Sequence, residues 1–410
     1  MKLTIERLGH LGDGIAPGPY FAARTLPGEE IEGRIEGDRV LDTRILTPAA
    51  TRVRPPCPHY RSCGGCDLQH ANDDFVADWK LGVVRSALAA QGLSDVLFRP
   101  VLTSPPASRR RAKLGGRRSK SGAIVGFYAP GSDVLIEAGS CILLHPDLMA
   151  ALPGLRALVT LGASRKGAVA LTLTRSETGL DLAVAGGKPL DAALQQDLAS
   201  LAQAHGIVRL SWEGEVIAQS VPPVQRFGPA LVAPPPGAFL QATAEGEAAL
   251  LAAIAEAVGP ARRVADLFSG VGTFALPLAQ RAEVHAVESE PDMLVALEKG
   301  WRQAAGLKRV TTEARDLFRR PLLGDELKRF DAVVIDPPRA GAEAQIAALA
   351  EAAQKPETTV PVVVAVSCNP VTFARDARAL LAAGYRLDWV QVVDQFRWSP
   401  HVELAARFSR

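Results

Sequence analysis

The pattern of apolar and polar positions divides the chain into three stretches of different periodicity. In residues 1–53, short apolar runs such as KLTIERL and EEIEGRIEG alternate with turns rich in Gly and Pro, among them GHLGDG. Short, closely spaced strands of this kind are typical of small closed β-structures, so we predict an OB-like β-barrel. Seven basic and eight acidic side chains lie in this stretch, so charge alone does not predict that it binds a polyanion.

The other two stretches have longer elements. Residues 54–235 combine one helical pattern, DDFVADWKLGVVRSALAAQG, with β-like runs such as GAVALTLTR, which predicts an α+β domain. The run PPPG is typical of a linker. In residues 236–410, apolar strands and amphipathic helices alternate, which predicts a doubly wound, Rossmann-like sheet. The expected fold is therefore a multidomain α/β protein.

Length and composition are those of a globular protein with several cores. The 410 residues are 48% hydrophobic and 22% charged. No run approaches the roughly 18 apolar residues of a membrane span, and the N-terminus has no apolar signal region. The five cysteines are an odd number and do not suggest a disulfide framework. We expect a cytoplasmic protein, monomeric and without a membrane partner.

Basic side chains are concentrated in one segment although the net charge is only +2. Eight basic residues and no acidic residue lie between Arg99 and Lys120. Such a segment can neutralise phosphates, so we predict a nucleic-acid contact, with a solvated basic hairpin as the alternative. The candidate contacts are Arg109, Arg110, Arg111, Lys113, Arg117 and Arg118.

The cysteines fall into a group of four and a single distant one. Cys57, Cys63 and Cys66 lie in PPCPHYRSCGGCDLQH, and Cys141 follows in EAGSCILLHP. Four soft ligands are enough for a metal ion or an iron–sulfur cluster. Structural zinc usually has paired C-x2-4-C knuckles, and only Cys63 and Cys66 are spaced in this way. Zinc and free thiols stay open as alternatives to a cluster.

The C-terminal stretch contains a pattern typical of nucleotide-type cofactor sites. In VADLFSGVGTFALPLA, a strand ends at Asp266 and is followed by a turn containing Gly270 and Gly272. Glu288 ends the next strand, where a carboxylate can accept hydrogen bonds from ribose hydroxyls. Dinucleotide and S-adenosyl-L-methionine (SAM) sites share this layout. Asp316 is a candidate for the adenine region, with a helix N-cap as the alternative.

Two later strands end in reactive side chains. FDAVVIDPPRAG places Asp336 before two prolines, which fix the backbone of a rigid wall. VVVAVSCNP places Cys368 just after a buried strand, between the polar Ser367 and Asn369. A lone Cys is more often core packing than a nucleophile, but this position faces the ligand crevice of such sheets. Glu403, in HVE, begins a further apolar strand, where burying a carboxylate is costly.

In order and spacing, these motifs resemble the uracil-C5 RNA methyltransferase family over nearly the whole chain. FLQATAEGE, DLFSGVGTF, AVE, DPPRAG, SCNPVTFARD and HVE occur in that family's order. GHLGDGIA is similar to its N-terminal TRAM barrel. C-x5-C-G-G-C-x-L-Q-H with a distant Cys is similar to the branch that carries a 4Fe-4S cluster and includes the 23S rRNA (uracil-5-)-methyltransferases.

The resemblance implies a class I methyltransferase that uses SAM and a covalent mechanism. Cys368 would add to C6 of uracil, Glu403 would remove the C5 proton, and Asp336 would hold the base or the methionine end of the cofactor. The positions that match the family's SAM site are Gln241, Phe268, Gly270, Thr273, Glu288, Asp316 and Asp336. The cluster would be held by Cys57, Cys63, Cys66 and Cys141.

The chain departs from the family pattern in two places, and other functions stay open. Thr273 stands where relatives often have Asn, and the loop Arg397–Pro400 differs from the family's loop before H-x-E. We predict methylation of uridine C5 in 23S rRNA, after the base leaves its stack. The alternatives are tRNA uridine, cytosine C5, and an RNA-binding iron–sulfur protein without catalysis.

Overall fold

A computed structural model describes residues 1–410, and a small six-stranded sheet forms the N-terminus. Its order is β1-β5-β6-β4-β3-β2. Alternate side chains of β5 point inward, and the small core they help to form contains Ile5, Ala16, Ala22, Ile31 and Val40. This sheet fits the predicted barrel. Its strands are β1 (Lys2–Thr4), β2 (Arg7–Leu8), β3 (Gly14–Ala16), β4 (Tyr20–Ala22), β5 (Glu30–Glu36) and β6 (Arg39–Thr47).

A seven-stranded sheet with helices on one face forms the middle of the chain. Its order is β10-β9-β8-β11-β12-β13-β14, and only β12 and β13 are parallel neighbours. Gly116 on β8 lets α3 approach closely, because a Cβ there would meet Val159 at 2.6 Å. The elements are β8 (Arg111–Arg118), β9 (Ala123–Tyr128), β10 (Leu135–Glu137), α2 (Pro146–Ala150), α3 (Leu152–Gly162), β11 (Ala168–Arg175), β12 (Leu180–Ala185), α4 (Ala192–Ala204), β13 (Ile207–Trp212) and β14 (Glu215–Gln219).

The C-terminal part is an eight-stranded sheet between two hydrophobic cores. The order is β19-β18-β17-β20-β21-β23-β22-β7, and β23 runs antiparallel to both neighbours. A short hairpin of β15 and β16 precedes it. The elements are β15 (Gln225–Phe227), β16 (Ala230–Val232), α5 (Ala244–Val258), β17 (Arg263–Leu267), α6 (Ala275–Leu278), β18 (Glu283–Glu288), α7 (Pro291–Gln303), β19 (Val310–Ala314), α8 (Gly324–Leu327), β20 (Ala332–Ile335), α9 (Glu343–Ala352), a 3₁₀ turn (Pro356–Thr358), β21 (Val362–Ser367), α10 (Pro370–Ala382), β22 (Arg386–Asp394) and β23 (Glu403–Ser409).

One helix predicted within the middle stretch packs on the C-terminal sheet instead. Helix α1 (Asp73–Ala89) lies against α10 and β22, and Val84 and Leu88 are buried in the C-terminal core. Strand β7 (Leu102–Thr103) pairs with the edge of that sheet through β22. Periodicity identifies the apolar stripe of a helix but not the sheet on which that stripe packs. The sequence pattern alone therefore assigned this segment to the middle stretch. None of the helices has the length and apolarity needed to cross a membrane.

Candidate active site and cysteine cavity

The reactive side chains meet at one edge of the C-terminal sheet. Parallel strands β17, β18, β20 and β21 all end there, so Phe268, Glu288, Asp336 and Cys368 lie side by side. Strand β23 runs the other way, and its first residue, Glu403, is therefore at the same edge. A cavity of about 630 Å³ opens at this edge, and all nine predicted catalytic and SAM-binding residues line it.

The turn after β17 has the geometry of a close ligand approach. Phe268 has a φ of 61°, a left-handed conformation that costs a non-glycine residue on the order of 1 kcal/mol or more. Its ring packs on Phe318, with centroids 5.4 Å apart. Gly272 has a φ of 88°, and a Cβ there would meet Leu297 at 2.7 Å. Gly272 therefore lets the turn pack closely against Leu297 of α7.

Backbone donors hold Glu288 in a fixed orientation. Its Oε2 accepts from Gly270 N over 3.0 Å, and its Oε1 accepts from Ser289 N over 2.7 Å and from Glu290 N over 3.1 Å. A carboxylate fixed in this way can present its remaining lone pairs to hydroxyl groups in the cavity.

Two further carboxyl groups, Asp336 and Glu403, line the cavity, and a third, Asp266, is buried behind its lining. Burial raises the pKa of Asp336 to about 7. Burial, reinforced by Asp336, raises the pKa of Glu403 to about 8. Burial also raises the pKa of Asp266 well above its usual range, and neither of its oxygens has a hydrogen-bond partner. So many shielded carboxyl groups favour a cationic ligand, and the sulfonium group of SAM has that charge.

Cys368 lies among these acids. Burial, followed by the charges of Glu403 and Asp336, raises the pKa of its thiol to about 11, although Arg339 acts to lower it. Arg339 Nη2 donates to His401 Nδ1 over 2.9 Å, and burial followed by the Arg339 charge lowers the pKa of His401. His401 is thus a neutral acceptor, and the thiol requires additional positive charge in the cavity before it ionises readily.

A second groove reaches Cys368 from another side. It has a volume of about 870 Å³ and shares Arg339, Cys368 and His401 with the first cavity. Its other walls come from the N-terminal sheet, including Leu11, and from α1, including Trp79. The thiol is therefore accessible from a groove that does not contain the turn after β17.

Residues 394–403, which we call the catalytic loop, are held by side chains that sequence reasoning missed. Lys80 on α1 is fully buried and pairs with Asp394, and its Nζ also donates to Phe396 O over 3.1 Å. Gln395 Nε2 donates to Glu403 Oε2 over 3.1 Å. A signal for Lys80 was available, because it occupies an apolar position in the series Val76, Lys80, Val84 and Leu88, four residues apart.

The divergent part of the catalytic loop makes defined contacts. Trp398 has a φ of 59°, and its carbonyl oxygen accepts from Asp67 N over 2.7 Å and from Leu68 N over 3.0 Å. Arg397 pairs with Asp73 at the start of α1. The cysteine-rich segment is thus bonded directly to the catalytic loop. Thr273, the other departure, lines the first cavity.

All four clustered cysteines line one small cavity, and none forms a disulfide. Gly64 permits the tight loop there, since a Cβ would meet Tyr128 O at 2.7 Å. Cys63 Sγ accepts from Gly65 N over 3.4 Å. Burial raises the pKa of Cys63 and Cys141 and that of Cys66 to about 12. No group of three or more His, Cys, Asp or Glu side chains is arranged to hold a metal ion.

The basic segment does not form one continuous surface. Arg109 lies over the Phe396 ring at 5.6 Å, near Cys66 and Cys141. Arg110 is buried and pairs with Glu247, while Arg111 Nη2 donates to Gly237 O over 3.1 Å. The more accessible part is on β8, where Lys113 is exposed and Arg117 and Arg118 are half-buried. The basic segment crosses a junction between two sheets, so its side chains point into different surroundings. A count of basic residues cannot show this.

The sheet order and the cavity at its carboxyl edge define a Rossmann-like methyltransferase. Residues 234–410 match the family described as tRNA (uracil-5-)-methyltransferase. An RNA methyltransferase of Brucella suis is 43% identical, over 99% of this chain and 97% of its own length. The 23S rRNA (uracil(1939)-C(5))-methyltransferase RlmD of Chromohalobacter salexigens is 34% identical, over 98% of this chain and 87% of its own length. The chain therefore belongs to the SAM-dependent RNA (uracil-5-)-methyltransferases, as the motifs indicated.

A solved structure supports the fold over the full length. The tRNA (uracil-54, C5)-methyltransferase of Pyrococcus abyssi, in complex with S-adenosyl-L-homocysteine, superposes with a TM-score of 0.75. The likeness covers 100% of this chain and 99% of that chain, at 21% sequence identity. All three stretches thus share an arrangement already seen in one folded enzyme.

Proposed function

We propose that the protein transfers a methyl group from SAM to C5 of a uridine in 23S rRNA. The observation that carries this proposal is the meeting of Cys368 and Glu403 in one cavity from neighbouring strands. The choice of 23S rRNA is supported by the relative from Chromohalobacter salexigens, whose name specifies that substrate. A tRNA uridine is the alternative, because the matching family is described as acting on tRNA.

Cys368 acts as the nucleophile. Its thiolate forms a bond to C6 of uracil, which makes C5 electron-rich enough to accept a methyl group. SAM, when bound, supplies that methyl group. Glu403 then takes the C5 proton, the C5–C6 double bond re-forms, and the bond between Cys368 and C6 breaks. Arg339 favours the thiolate, and the raised pKa of Glu403 makes it a strong enough base.

The SAM site lies at the other end of the cavity. In this proposal, Glu288 binds the ribose hydroxyls, Asp316 and Phe268 bind the adenine side, and Gln241 and Asp336 bind the methionine side; what supports it is that all five line the cavity. Gly270 and Thr273 lie in the turn that faces the ligand. The buried acids Asp266, Asp336 and Glu403 fit a cationic donor, since burial raises the pKa of each and Arg339 offsets this only at Glu403.

The RNA strand reaches Cys368 through the groove between the N-terminal sheet, α1 and the C-terminal sheet. The target base must leave its stack to enter, because the thiol lies inside a walled cavity. On β8, Lys113, Arg117 and Arg118 are the accessible members of the basic segment and contact phosphates. The protein acts as a cytoplasmic monomer, with a TRAM-like barrel at 1–53, a cluster-bearing middle domain within 54–235, and a methyltransferase domain at 236–410 on which α1 and β7 also pack.

Cys57, Cys63, Cys66 and Cys141 bind a 4Fe-4S cluster. Four thiols and no disulfide line one cavity, which suits an iron–sulfur group. Only Cys63 and Cys66 have the spacing of a paired zinc knuckle, which favours a cluster over zinc. Methyl transfer needs no electrons, so the cluster has a structural role.

The test is release of tritium from 23S rRNA labelled at C5 of uridine. Wild-type protein with SAM should release tritium, and Cys368→Ala should lower the rate on the order of 10⁴-fold, since nothing else in the cavity replaces the nucleophile. SAM binding and the melting temperature should change little. Undiminished release by Cys368→Ala would contradict the mechanism, and release only from labelled tRNA would move the substrate assignment to tRNA.

A further inference from the structure

We propose that Gln395 is a positioning residue for the removal of the C5 proton. Its side-chain amide holds the carboxylate of Glu403 and the side chain of Gln241 in one arrangement. Gln395 is 1% exposed and lies between these two residues on the floor of the cavity. The inference rests on the proposed function, because it takes Glu403 as the base.

The backbone determines which way the amide of Gln395 points. Ala242 N donates to Gln395 Oε1 over 2.8 Å, so this end of the amide must be the oxygen. The other end, Nε2, then has two hydrogens and two acceptors, Glu403 Oε2 at 3.1 Å and Gln241 Oε1. Every hydrogen-bonding position that the amide needs is filled, so it cannot rotate without losing bonds.

The amide of Gln395 is an internal link of a chain of polar contacts that joins Glu403 to Asp336. Gln241 Nε2 lies 3.5 Å from Asp336 Oδ2, so the contacts run from Glu403 through Gln395 and Gln241 to Asp336. Both carboxylates are acceptors in this chain, which leaves each of them free of a proton on the bonded oxygen. An N–H donor favours the ionised form of Glu403, which is the form that can accept a proton.

Position 395 is itself tightly held. A Cβ on Gly246 of α5 would meet Gln395 Cβ at 2.6 Å, so this glycine makes room for it. The preceding residue, Asp394, is anchored by Lys80. Because these contacts fix residue 395, its side-chain amide can hold the Glu403 carboxylate in one position.

Loss of the amide should affect one step in particular. After methyl transfer, C5 carries both a proton and the methyl group, and C6 is still bonded to Cys368. Glu403 takes the proton, its electron pair forms the C5–C6 double bond, and the C6–S pair leaves with sulfur. If Glu403 is misplaced, this step slows while the earlier formation of the covalent adduct does not.

The experiment measures the covalent protein–RNA adduct on denaturing gels. Unmodified 23S rRNA transcript and methyl-labelled SAM are mixed with wild type, Glu403→Gln, Gln395→Met or Gln391→Met, then quenched over time. Gln391 is a matched control, because it is a buried Gln of β22 that bonds only to backbone oxygens, Pro100 O and Val392 O. We expect Gln395→Met to accumulate labelled adduct and to release product about tenfold more slowly, with Gln391→Met like wild type.

The outcomes separate the inference from the function on which it rests. If Glu403→Gln accumulates adduct but Gln395→Met turns over like wild type, or slows without adduct, the role of Gln395 is wrong. If Glu403→Gln accumulates no adduct, Glu403 is not the base and the proposed mechanism fails first. If Gln395→Met does not fold, Gln395→Glu carries the same test, since it keeps the acceptor for Ala242 N and loses the donor toward Glu403.

Discussion

The catalytic cavity and the cysteine cavity both bury ionisable groups. They differ in how well hydrogen-bond donors of the chain itself stabilise those groups. In the catalytic cavity, Glu288 accepts three backbone N–H groups and Glu403 accepts the Gln395 amide. In the cysteine cavity, the Gly65 N–H reaches Cys63 and the Leu143 and Leu144 N–H groups reach Cys141, but burial still raises the pKa of both thiols. Both sites suit a group that brings positive charge, but hydrogen-bond donors of the protein orient the acids of the first site more fully than the thiols of the second.

The two regions are nevertheless connected through the catalytic loop. Lys80 and Gln395 hold the loop from the side of the active site, and Asp67 and Leu68 hold Trp398 from the side of the cysteines. This arrangement bonds the cysteine-rich segment to the loop that leads into Glu403.

The largest effect is expected when the buried charge of Asp394 loses its partner. Lys80→Met should lower the free energy of unfolding by about 3–5 kcal/mol, because the buried Asp394 side chain loses its cationic partner. The double variant Lys80→Met/Asp394→Asn should recover much of this loss while keeping an acceptor for Phe396 N. Urea unfolding measures both. Equal losses in the single and the double variant would show that packing, and not charge, makes Lys80 important.

A smaller effect is the pH dependence of stability that arises from the catalytic acids. The folded-state pKa of Glu403 is about 8 against an ordinary 4.5, so the folded protein binds an extra proton between these values. Stability from this group is therefore lost as the pH rises, with a slope of at most about 1.4 kcal/mol per pH unit. The nearby groups that act on Glu403 are Asp336, which raises its pKa, and Arg339 and Gln395, which lower it.

Melting temperatures between pH 5 and pH 8 test this slope. Wild type should lose stability across the interval, and Glu403→Gln should lose less. SAM should raise the melting temperature most near pH 8, because its positive charge compensates the ionised acids. An identical slope in the two proteins would mean that Glu403 is ionised throughout the interval.

The smallest expected effect on catalysis comes from removing the cluster. Cys66→Ser should abolish bound iron and sulfide and the broad visible absorbance. Methyl transfer should fall by only about tenfold, because losing roughly one hydrogen-bonded contact to the catalytic loop is expected to cost about that much. Lys80 and Gln395 still hold the loop in this variant. Iron and sulfide analysis with tritium release measures both quantities. Loss of methylation as complete as in Cys368→Ala would mean that the two regions are not separate in function.

Much of the active site was predictable from local sequence. Strand ends such as those before Asp336 and Cys368 can be located from apolar runs, and parallel strands bring their ends to one edge. The family resemblance added residues with no local signal, such as Gln241, and all nine predicted residues line one cavity. The basic segment was less predictable, because burial of Arg110 against Glu247 depends on a partner more than a hundred residues away.

The sequence by itself determined the order of strands and helices, the class of methyltransferase, and the separation of Cys368 from the other four cysteines. These properties depend on periodicity, turn residues and motif order, which are local in the chain. Only the tertiary structure decided that α1 belongs to the C-terminal sheet and that Lys80 and Gln395 hold the catalytic loop. It also decided that the cysteine segment bonds to Trp398. Such contacts join residues far apart in sequence. The partner of a buried charge or amide can be identified only when the three-dimensional positions of both residues are known.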